Sequence, residues 1–551
     1  MPAPSNATDE MPEPVTVTTG TSVERLTTIK RSARCRTRRA PSTGQVMAFP
    51  GEITAYRARR GFSLMPRFFA YLPENVAQSH LPAYKHPQRH TIRVSMAPNS
   101  PHAAALALPM TASAMSDIAD AINRMSAAYA EVAGTAENRS FRNFRTSDLV
   151  EITGLNDRQV REWRRANKHT LESYDSAAET KGALPQLPLT LAEMHRMMQE
   201  LGVAPRRPKG SRAIRLGCFN FKGGSTKTST CFNLAGFFAL YGWRTLVIDA
   251  DPQGSLSTMF GFSPEDVDPE HTLLPALNSV SSQDLFNQIT LSPLKTHIDG
   301  LDLVPANLEM IGADFDITAA FMERLPAARD FYACVDRAIR TVEHNYDIVL
   351  IDGAPAFSFA ALATMWAADG MIIPVPPASP DFKATAAFCA MASSGLQSLA
   401  TRAGDPERQW APVMFVHNRV KSRSQSSEVI QGLSKEAFGR HLCEAGIPDT
   451  SAIPNALARQ MSVWEATPSD VDSRGLRQSR LAYAELGGKV VNAIRAAWAS
   501  GFAKEDPAVV AEMLELERLG REAAEGGPSE LSPSNGGIAA DTALEVSHGH
   551  G

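Results

Sequence analysis

Six continuous apolar runs dominate the hydrophobic pattern of this chain between residues 214 and 418. They are IRLGCFNF, TLVIDA, LDLVPA, YDIVLIDGAP, GMIIPVPP and APVMFVHN. Each run is followed by a loop and a segment with helical spacing of its apolar residues. Strands of a parallel sheet give such uninterrupted runs because helices cover both faces of the sheet. We therefore predict an α/β domain over about 211–500, with a mostly parallel, twisted sheet covered by helices.

A different pattern precedes this domain, over about 115–208. The stretch MSDIADAINRMSAAYAEV places Ile118, Ile122, Met125 and either Ala128 or Tyr129 on one stripe at helical spacing. The stripe predicts an amphipathic helix, which either packs locally or pairs two subunits as a dimerisation helix.

The next stretch, FRTSDLVEITGLNDRQVREWRRANK, predicts two short helices joined by a tight turn. Leu149, Val150 and Ile152 supply an apolar face to the first helix. Gly154 can break the chain into a tight turn. Asn156 is a good N-cap for a second helix through Val160 and Trp163. This spacing is that of a helix-turn-helix and resembles the motif of MerR-type regulators.

The exposed side of the second helix is basic. It is predicted to carry DNA contacts at Arg158, Gln159, Arg161, Arg164 and Arg165. An ordinary helical hairpin with a basic, solvated face is the alternative. The sequence thus predicts a small all-α, DNA-binding domain in front of the sheet domain.

The composition is that of a multidomain globular protein. The chain has 551 residues, 43% hydrophobic and 21% charged, more than one hydrophobic core usually supports. It contains neither a membrane-spanning apolar stretch nor a secretory signal, so a cytoplasmic location is expected. The six scattered cysteines form no C-x-x-C pair, which disfavours a disulfide framework and a zinc site.

The charge is unevenly distributed along the chain. Residues 1–110 carry 14 Lys+Arg and 6 Asp+Glu, a net charge of +8, so the remainder sums to −12 of the total −4. The basic stretch is predicted to be a disordered arm, an accessory nucleic-acid contact, or untranslated sequence before a later start. The segment 503–551 is predicted to be an acidic, disordered tail.

The end of the first apolar run has the features of a phosphate-binding loop. In FKGGSTKTST, Gly223 and Gly224 allow backbone N–H groups to approach phosphate oxygens, and a helix beginning near Lys227 adds its dipole. Lys227 would reach the outer phosphates, and the Thr228 hydroxyl would bind Mg²⁺. The common G-x-x-x-x-G-K-[ST] pattern is nevertheless not met.

Three further strand ends carry polar side chains suited to nucleotide chemistry. Asp249 and Asp251 lie at the end of the second strand, and a carboxylate there can orient water or approach the metal through its water shell. Asp352 ends the fourth run at the metal side, and Asn418 after the sixth could bind a purine edge. The predicted nucleotide-binding set is Lys222, Gly223, Gly224, Ser225, Thr226, Lys227, Thr228, Ser229 and Asn418.

Together, FKGGSTKTST, VIDADPQGS and YDIVLIDGAPAFS resemble the deviant Walker A, Walker A-prime and Walker B motifs of the ParA partition ATPases. That group of phosphate-loop NTPases includes MinD and the nitrogenase iron protein. The resemblance implies that Lys222 is the signature lysine of a nucleotide-sandwich dimer, that Lys227 binds phosphate and that Thr228 ligates Mg²⁺. It implies that Asp251 positions the attacking water, and that Asp249 and Asp352 lie near the metal.

The helix-turn-helix before the ATPase domain narrows the resemblance to type Ia ParA proteins, which include the RepA proteins of repABC plasmids. The resemblance implies slow ATP hydrolysis, a homodimer, stimulation by a ParB-type partner, nonspecific nucleoid DNA binding and repression at an operator. Arg419, Lys421 and Arg423 are candidate nonspecific DNA contacts, with a solvated loop as the equal alternative.

Three other functions have sequence features that separate them from this one. A membrane-positioning ATPase of the MinD type should end in a basic amphipathic helix, whereas this chain ends in an acidic tail, so no membrane partner is expected. A repressor that binds nucleotide without hydrolysis would lack the water-positioning carboxylate at Asp251. An iron protein needs cysteines at the dimer seam, and the scattered cysteines do not favour one.

Overall fold

The computed structural model describes residues 115–116, 118, 120–122, 124–125, 139–172, 188–422 and 424–505. Several predictions lie outside these described residues. They concern the basic arm over 1–110 with its possible later start, Ala128, Tyr129, Arg423 and the tail beyond 505.

An eight-stranded sheet forms the centre of the described structure. Its strands are β1 (Ile214–Cys218), β2 (Thr245–Asp249), β3 (Leu294–Lys295), β4 (Leu301–Val304), β5 (Ile348–Asp352), β6 (Gly370–Val375), β7 (Val413–His417) and β8 (Leu442–Cys443). Their order is β3-β4-β2-β5-β1-β6-β7-β8, and every neighbouring pair is parallel except β3 with β4. The prediction of a mostly parallel α/β sheet is confirmed, and the six apolar runs contain β1, β2, β4, β5, β6 and β7.

Helices cover both faces of the sheet. The α-helices are α1 (Thr146–Thr153), α2 (Asp157–Asn167), α3 (Leu191–Glu200), α4 (Lys227–Leu240), α5 (Ser255–Met259), α6 (Leu274–Asn278), α7 (Gln283–Asn287), α8 (Ala313–Met322), α9 (Cys334–Arg340), α10 (Phe359–Ala367), α11 (Ser379–Arg402), α12 (Gln425–Phe438), α13 (Ala452–Leu457) and α14 (Ser473–Ala499). Short 3-10 helices are Lys168–Thr170, Pro269–His271, Ser279–Ser281, Leu308–Gly312, Ala327–Ala333, Glu343–Asn345 and Gly439–His441.

The continuous apolar runs have a direct structural cause. Every residue of β1, β2, β5 and β6 is buried, because these central strands are covered on both faces. Helix α4 is buried along most of its length, and the Trp464 indole N–H donates to the Asn233 carbonyl at 2.8 Å. The burial of α4 fixes the phosphate loop that precedes it.

Helices α1 and α2 are two short helices joined by a tight turn at Gly154. Gly154 has φ 70°, a left-handed conformation that glycine adopts without a steric penalty, and it ends α1. The Asn156 side chain accepts from the Gln159 backbone N–H at 3.0 Å and caps α2. Leu149, Val160 and Trp163 are buried, as the pattern predicted.

The helix-turn-helix segment packs against the sheet domain. Its buried residues share one hydrophobic cluster with residues of α4 and α14. Arg139 donates to the carbonyls of Met259 and Gln460 and pairs with Glu465. This contact joins the two parts of the described chain.

Residues near both ends of the described chain can also be placed. Residues 210–212 hydrogen-bond with 503–505, so the first residues of the predicted tail pack on the sheet domain. The described residues between 115 and 125 are helical, and the three described members of the predicted stripe, Ile118, Ile122 and Met125, are exposed. Among all described residues, no helix is long and apolar enough to cross a bilayer.

Candidate nucleotide-binding site

The phosphate loop connects β1 to α4 at the carboxyl edge of the sheet. Gly224 has φ 73°, and a Cβ atom added at Gly223 or Gly224 would meet no other atom within 4 Å. Helix α4 begins at Lys227, as predicted, so its first backbone N–H groups face this open loop. The buried Ser225 hydroxyl has no hydrogen-bond partner among the described residues. These features make a cradle for an anion.

Lys227, the first residue of α4, is buried and only 6% exposed. Burial lowers the pKa of its ammonium group, whereas the nearby carboxylates of Asp352 and Asp251 favour the charged form. A buried lysine without a direct ion pair is available to an incoming phosphate.

Asp352 is the best candidate for a metal-side carboxylate. It is 1% exposed, and apart from the neighbouring Thr228 hydroxyl neither of its oxygens has a hydrogen-bond partner among the described residues. Burial raises the pKa of Asp352 well above its ordinary value, and Asp249 raises it further, while Thr228 and Lys227 oppose the shift. A cation beside Asp352 would favour ionisation, so this orphaned carboxylate fits a bound Mg²⁺.

No group of three or more His, Cys, Asp or Glu side chains that could hold a metal occurs in the described part of the chain. Mg²⁺ commonly uses one or two protein ligands and takes the rest from phosphates and water. Asp352 and the Thr228 hydroxyl fit that arrangement.

Asp249, which was predicted to lie near the metal, is hydrogen-bonded within the chain. Its Oδ2 accepts from the Ser257 backbone N–H and hydroxyl, both at 2.8 Å, and its Oδ1 accepts from Asp251 N at 3.2 Å. Both oxygens therefore have partners within the chain, which ties β2 to α5. Burial raises the pKa of Asp249 to about 6. Asp249 lies beside Asp352 and is anchored by these hydrogen bonds, and its predicted place near the metal stays a prediction.

Asp251 lies at the same edge and is partly exposed. Its Oδ1 accepts from Gln253 N at 3.1 Å, and its charge acts on Lys227. The structure therefore brings Asp251 to the phosphate loop, where the sequence spacing predicted it.

Lys222 is held by a residue that the sequence analysis missed. Its Nζ lies 2.6 Å from Asp381 Oδ1, and the Lys222 side chain is 34% exposed. Asp381 lies in the first turn of α11, after the carboxyl end of β6. Asp381 lies within α11 and not at the end of β6, so the rule that placed Asp249, Asp352 and Asn418 at strand ends does not find it.

Asn418 lines a cavity of about 250 Å³ beside the phosphate loop. Its Nδ2 donates to the hydroxyls of Thr226 at 2.6 Å and Thr230 at 2.7 Å, while its buried Oδ1 has no partner. The cavity lining is Thr226, Ser229, Asn418, Arg419, Ile447, Pro448, Asp449, Thr450, Ile453, Pro454, Leu457 and Tyr483. Of these residues, only Thr226, Ser229 and Asn418 were predicted to bind nucleotide.

Two of the predicted DNA contacts, Arg419 and Arg164, interact with other parts of the chain. Arg419 lines the cavity and lies 3.6 Å from Asp449, so it faces the candidate nucleotide site. Arg164 is half-buried and donates to the Thr146 hydroxyl at 2.5 Å, which ties α2 to α1. The prediction of an exposed Arg164 was wrong because the helix crossing, not the sequence spacing, decides its direction.

The remaining predicted DNA contacts are on the surface. Lys421 is exposed, and so are four residues of α2: Arg158, Gln159, Arg161 and Arg165. Arg158 pairs with Glu162 at 2.7 Å, and Arg161 pairs with Asp157 at 2.8 Å. These exposed pairs are weak and can exchange for phosphate contacts.

Comparison with known proteins places this site in a family context. Residues 214–389 match the family model described as AAA domain. A putative replication protein A of Rhizobium rhizogenes is 30% identical over 47% of this chain and 64% of its own. A second putative replication protein A, of Sinorhizobium fredii, is 24% identical over 65% of this chain and 87% of its own.

Protein SopA of Escherichia coli is 25% identical over 62% of this chain and 85% of its own length. A solved structure named Partition Protein is 17% identical, with a TM-score of 0.46, over 63% of this chain and 94% of that chain.

Proposed function

We propose that this chain, a relative of the ParA-type partition ATPases as its motifs predicted, is an ATP-dependent DNA partition protein. The observation that carries the proposal is the arrangement at one sheet edge. Lys227 and the orphaned carboxylate of Asp352 adjoin an open glycine loop, with a second lysine, Lys222, beside them. This arrangement suits a nucleoside triphosphate with Mg²⁺.

The chain's own residues divide the work of binding and hydrolysis. Lys227 and the N-terminus of α4 hold the phosphates, and the Asn418 Oδ1 accepts a hydrogen bond from the base in the adjacent cavity. Mg²⁺, held by Thr228 and Asp352, would neutralise charge that develops on the phosphates. Asp251 positions water for attack, and hydrolysis is slow without a partner.

Lys222 links the nucleotide to a second subunit. In the proposed dimer it leaves Asp381 and neutralises phosphate charge on the partner's nucleotide. The Lys222–Asp381 pair is partly exposed, and such pairs are weak, so a phosphate can compete for the ammonium group. Dimer formation and ATP binding then become thermodynamically linked.

DNA binding is assigned to two surfaces. The dimer would bind nucleoid DNA without sequence preference through phosphate contacts that include Lys421. Helix α2 would bind an operator near the protein's own gene through Arg158, Gln159, Arg161 and Arg165, giving autorepression. A ParB-type protein would stimulate hydrolysis and release the dimer from DNA.

The test is ATP hydrolysis by the full chain with Mg²⁺, measured alone, with DNA, and with DNA and the product of the neighbouring downstream gene. We expect a slow basal rate that rises with both additions. Absence of ATP binding and hydrolysis in every combination would refute the proposal.

Asp251→Ala separates the enzyme from a nucleotide-responsive repressor that does not hydrolyse ATP. Asp251→Ala should bind ATP with wild-type affinity and lose turnover, while Asp268→Ala, an exposed acidic control, should keep both. Wild-type turnover in Asp251→Ala would remove Asp251 from its proposed role.

For operator binding, Arg165→Ala and Arg164→Ala form a matched pair. Arg165 is exposed on α2, whereas Arg164 hydrogen-bonds to α1. Arg165→Ala should weaken binding to DNA from the protein's upstream region about tenfold, with wild-type thermal stability. Unchanged affinity in Arg165→Ala would contradict the assignment of α2 as the recognition helix.

A further inference from the structure

The hydroxyl groups of Thr226 and Thr230 fix the direction of the Asn418 amide. Thr226 Oγ1 donates to the Ser225 carbonyl at 2.5 Å, and Thr230 Oγ1 donates to the Thr226 carbonyl at 2.7 Å. Each hydroxyl has one proton, so both oxygens can only accept from Asn418 Nδ2. The Asn418 Oδ1 is thereby turned away from the threonines, and it is buried without a partner among the described residues.

Thr226 itself has an unusual backbone conformation. Its φ is 70° and its ψ is 22°, a left-handed conformation that is disfavoured for a β-branched residue. The non-glycine residues of the described chain with positive φ are Thr226, Arg324, Arg419 and Gln460. Two of these four, Thr226 and Arg419, line the same cavity as Asn418. Strained backbone that the surroundings hold in place is concentrated at functional sites.

The backbone conformation of Thr226 affects the residues that bind the phosphates. Thr226 is the N-cap of α4, and Lys227 and Thr228 follow it directly. The dihedral angles of an N-cap residue set the direction in which the chain enters the first helical turn. A change at Thr226 would therefore move both the phosphate-binding lysine and the metal-side hydroxyl.

We propose that Thr226 is a positioning residue that makes the geometry of the phosphate loop depend on the base bound beside it. The inference rests on the proposed function. A 6-amino purine donates to Asn418 Oδ1, so the amide keeps its Nδ2 on Thr226. A 6-oxo purine presents an acceptor to that oxygen, the amide reorients, and Thr226 loses the contact that holds its backbone. Base identity then affects the rate of hydrolysis as well as the affinity.

The experiment compares ATP with inosine triphosphate, which has a 6-oxo group in place of the 6-amino group. The full chain is assayed with Mg²⁺ for kcat, and calorimetry gives the Kd of each nucleotide. Wild type should show a kcat about tenfold higher with ATP, a difference of about 1.4 kcal/mol in activation free energy.

Three substitutions of Thr226 separate the hydroxyl from the backbone. Thr226→Val keeps the shape without the hydroxyl, and we expect its ATP kcat to fall about tenfold while the Kd for ATP changes less than about threefold. Thr226→Ser keeps the hydroxyl and should restore both the ATP kcat and the preference for ATP. Thr226→Gly adopts the left-handed conformation unaided, so the ratio of its kcat with ATP to its kcat with inosine triphosphate should fall to about one.

Several results would overturn the inference. They are equal wild-type kcat values for the two nucleotides, a wild-type ATP preference in Thr226→Gly, or a Thr226→Ser variant as slow as Thr226→Val. Thermal unfolding of each variant reports its folding, and Thr226→Ser with Thr226→Gly suffices if Thr226→Val does not fold. A wild-type chain that neither binds nor hydrolyses ATP would instead refute the proposed function.

Discussion

The two edges of the sheet differ in how their buried polar groups are paired. Most of the described ones are ion-paired at the amino edge, and several have no partner at the carboxyl edge. At the amino edge, Arg215 is fully buried and lies 2.8 Å from Glu343 and 2.5 Å from Asp336. Arg212 pairs with Asp369, and Arg244 pairs with Asp347. At the carboxyl edge, the Ser225 hydroxyl and the Asn418 Oδ1 have no partners among the described residues, and the oxygens of Asp352 have none apart from the neighbouring Thr228 hydroxyl.

Burying a polar group without a partner costs free energy, so its presence in a folded chain needs an explanation. At the amino edge the charged groups are matched within the chain, apart from Arg215 Nη2, and they hold the strands together. At the carboxyl edge, the unpartnered groups of Asp352, Ser225 and Asn418 are ones that a nucleotide with Mg²⁺ would satisfy. The comparison indicates that one edge is built for stability and the other for a ligand.

The substitution with the largest expected effect on the free energy of unfolding removes a central charge at the amino edge. Arg215→Met leaves Glu343 and Asp336 buried beside an apolar side chain and should lower the free energy of unfolding by about 3–5 kcal/mol. ATP hydrolysis per folded molecule should not change. Urea unfolding and an activity assay measure the two quantities.

Arg340→Met is the matched control for Arg215→Met. Arg340 also pairs with Asp336, but its side chain is 44% exposed, so the loss should stay below about 1 kcal/mol. A loss of hydrolysis in Arg215→Met without destabilisation would contradict the division between the two edges.

At the carboxyl edge, Lys227→Met should have the opposite effect: ATP hydrolysis should fall, and the free energy of unfolding should change little. Removal of the buried ammonium group should lower ATP hydrolysis by about 100-fold or more, because it stabilises charge on the transferred phosphate. The free energy of unfolding without nucleotide should change little, since Lys227 has no direct ion pair with a described residue. The exposed Lys435→Met variant is the control, and large destabilisation of Lys227→Met alone would contradict the prediction.

The amino edge also predicts a pH dependence of stability. Burial opposes ionisation of Asp336, but Arg215 and Arg340 outweigh it and hold its pKa at about 2. The folded state therefore favours the carboxylate, and this contribution is present above the unfolded pKa of about 4 and lost as pH falls towards 2.

Asp336→Asn should cost about 1–3 kcal/mol of unfolding free energy at pH 6, and the difference from wild type should shrink at pH 3. Urea unfolding of both proteins at pH 6 and pH 3 measures this difference in unfolding free energy. A difference that grows on acidification would show that the sign of the shift is wrong.

The smallest expected effect concerns the Lys222–Asp381 pair. Asp381→Asn removes the partner that holds Lys222 within its own subunit, so the ATP-dependent dimer should form at an about three- to fivefold lower protein concentration. Analytical ultracentrifugation with ATP measures the dimer. Asp405→Asn, an exposed acidic control, should behave as wild type, and an unchanged dimer in Asp381→Asn would contradict a competition for Lys222.

Much of the fold could be predicted from the sequence because the central strands are covered on both faces. The runs TLVIDA and YDIVLIDGAP predicted β2 and β5, whose residues are all buried. The two-residue strands β3 and β8 escaped prediction because a pair of residues shows no period.

Some residues of the candidate sites could be placed from the sequence, and others could not. Lys227 and Thr228 follow from local spacing, because a strand, a glycine loop and a helix place them together whatever surrounds them. The half-burial of Arg164 did not follow from spacing, because its direction depends on how α2 packs against α1.

The sequence by itself determined which residues lie at the carboxyl ends of the strands, and it contains the second lysine that distinguishes this loop. Only the tertiary structure decided which groups are already satisfied. It joins Lys222 to Asp381 across 159 residues and Asn418 to Thr226 across 192, and it uses both oxygens of Asp249 while leaving those of Asp352 free. The physical reason is that a hydrogen bond depends on distance and direction in space, which residue spacing along a strand or loop does not specify.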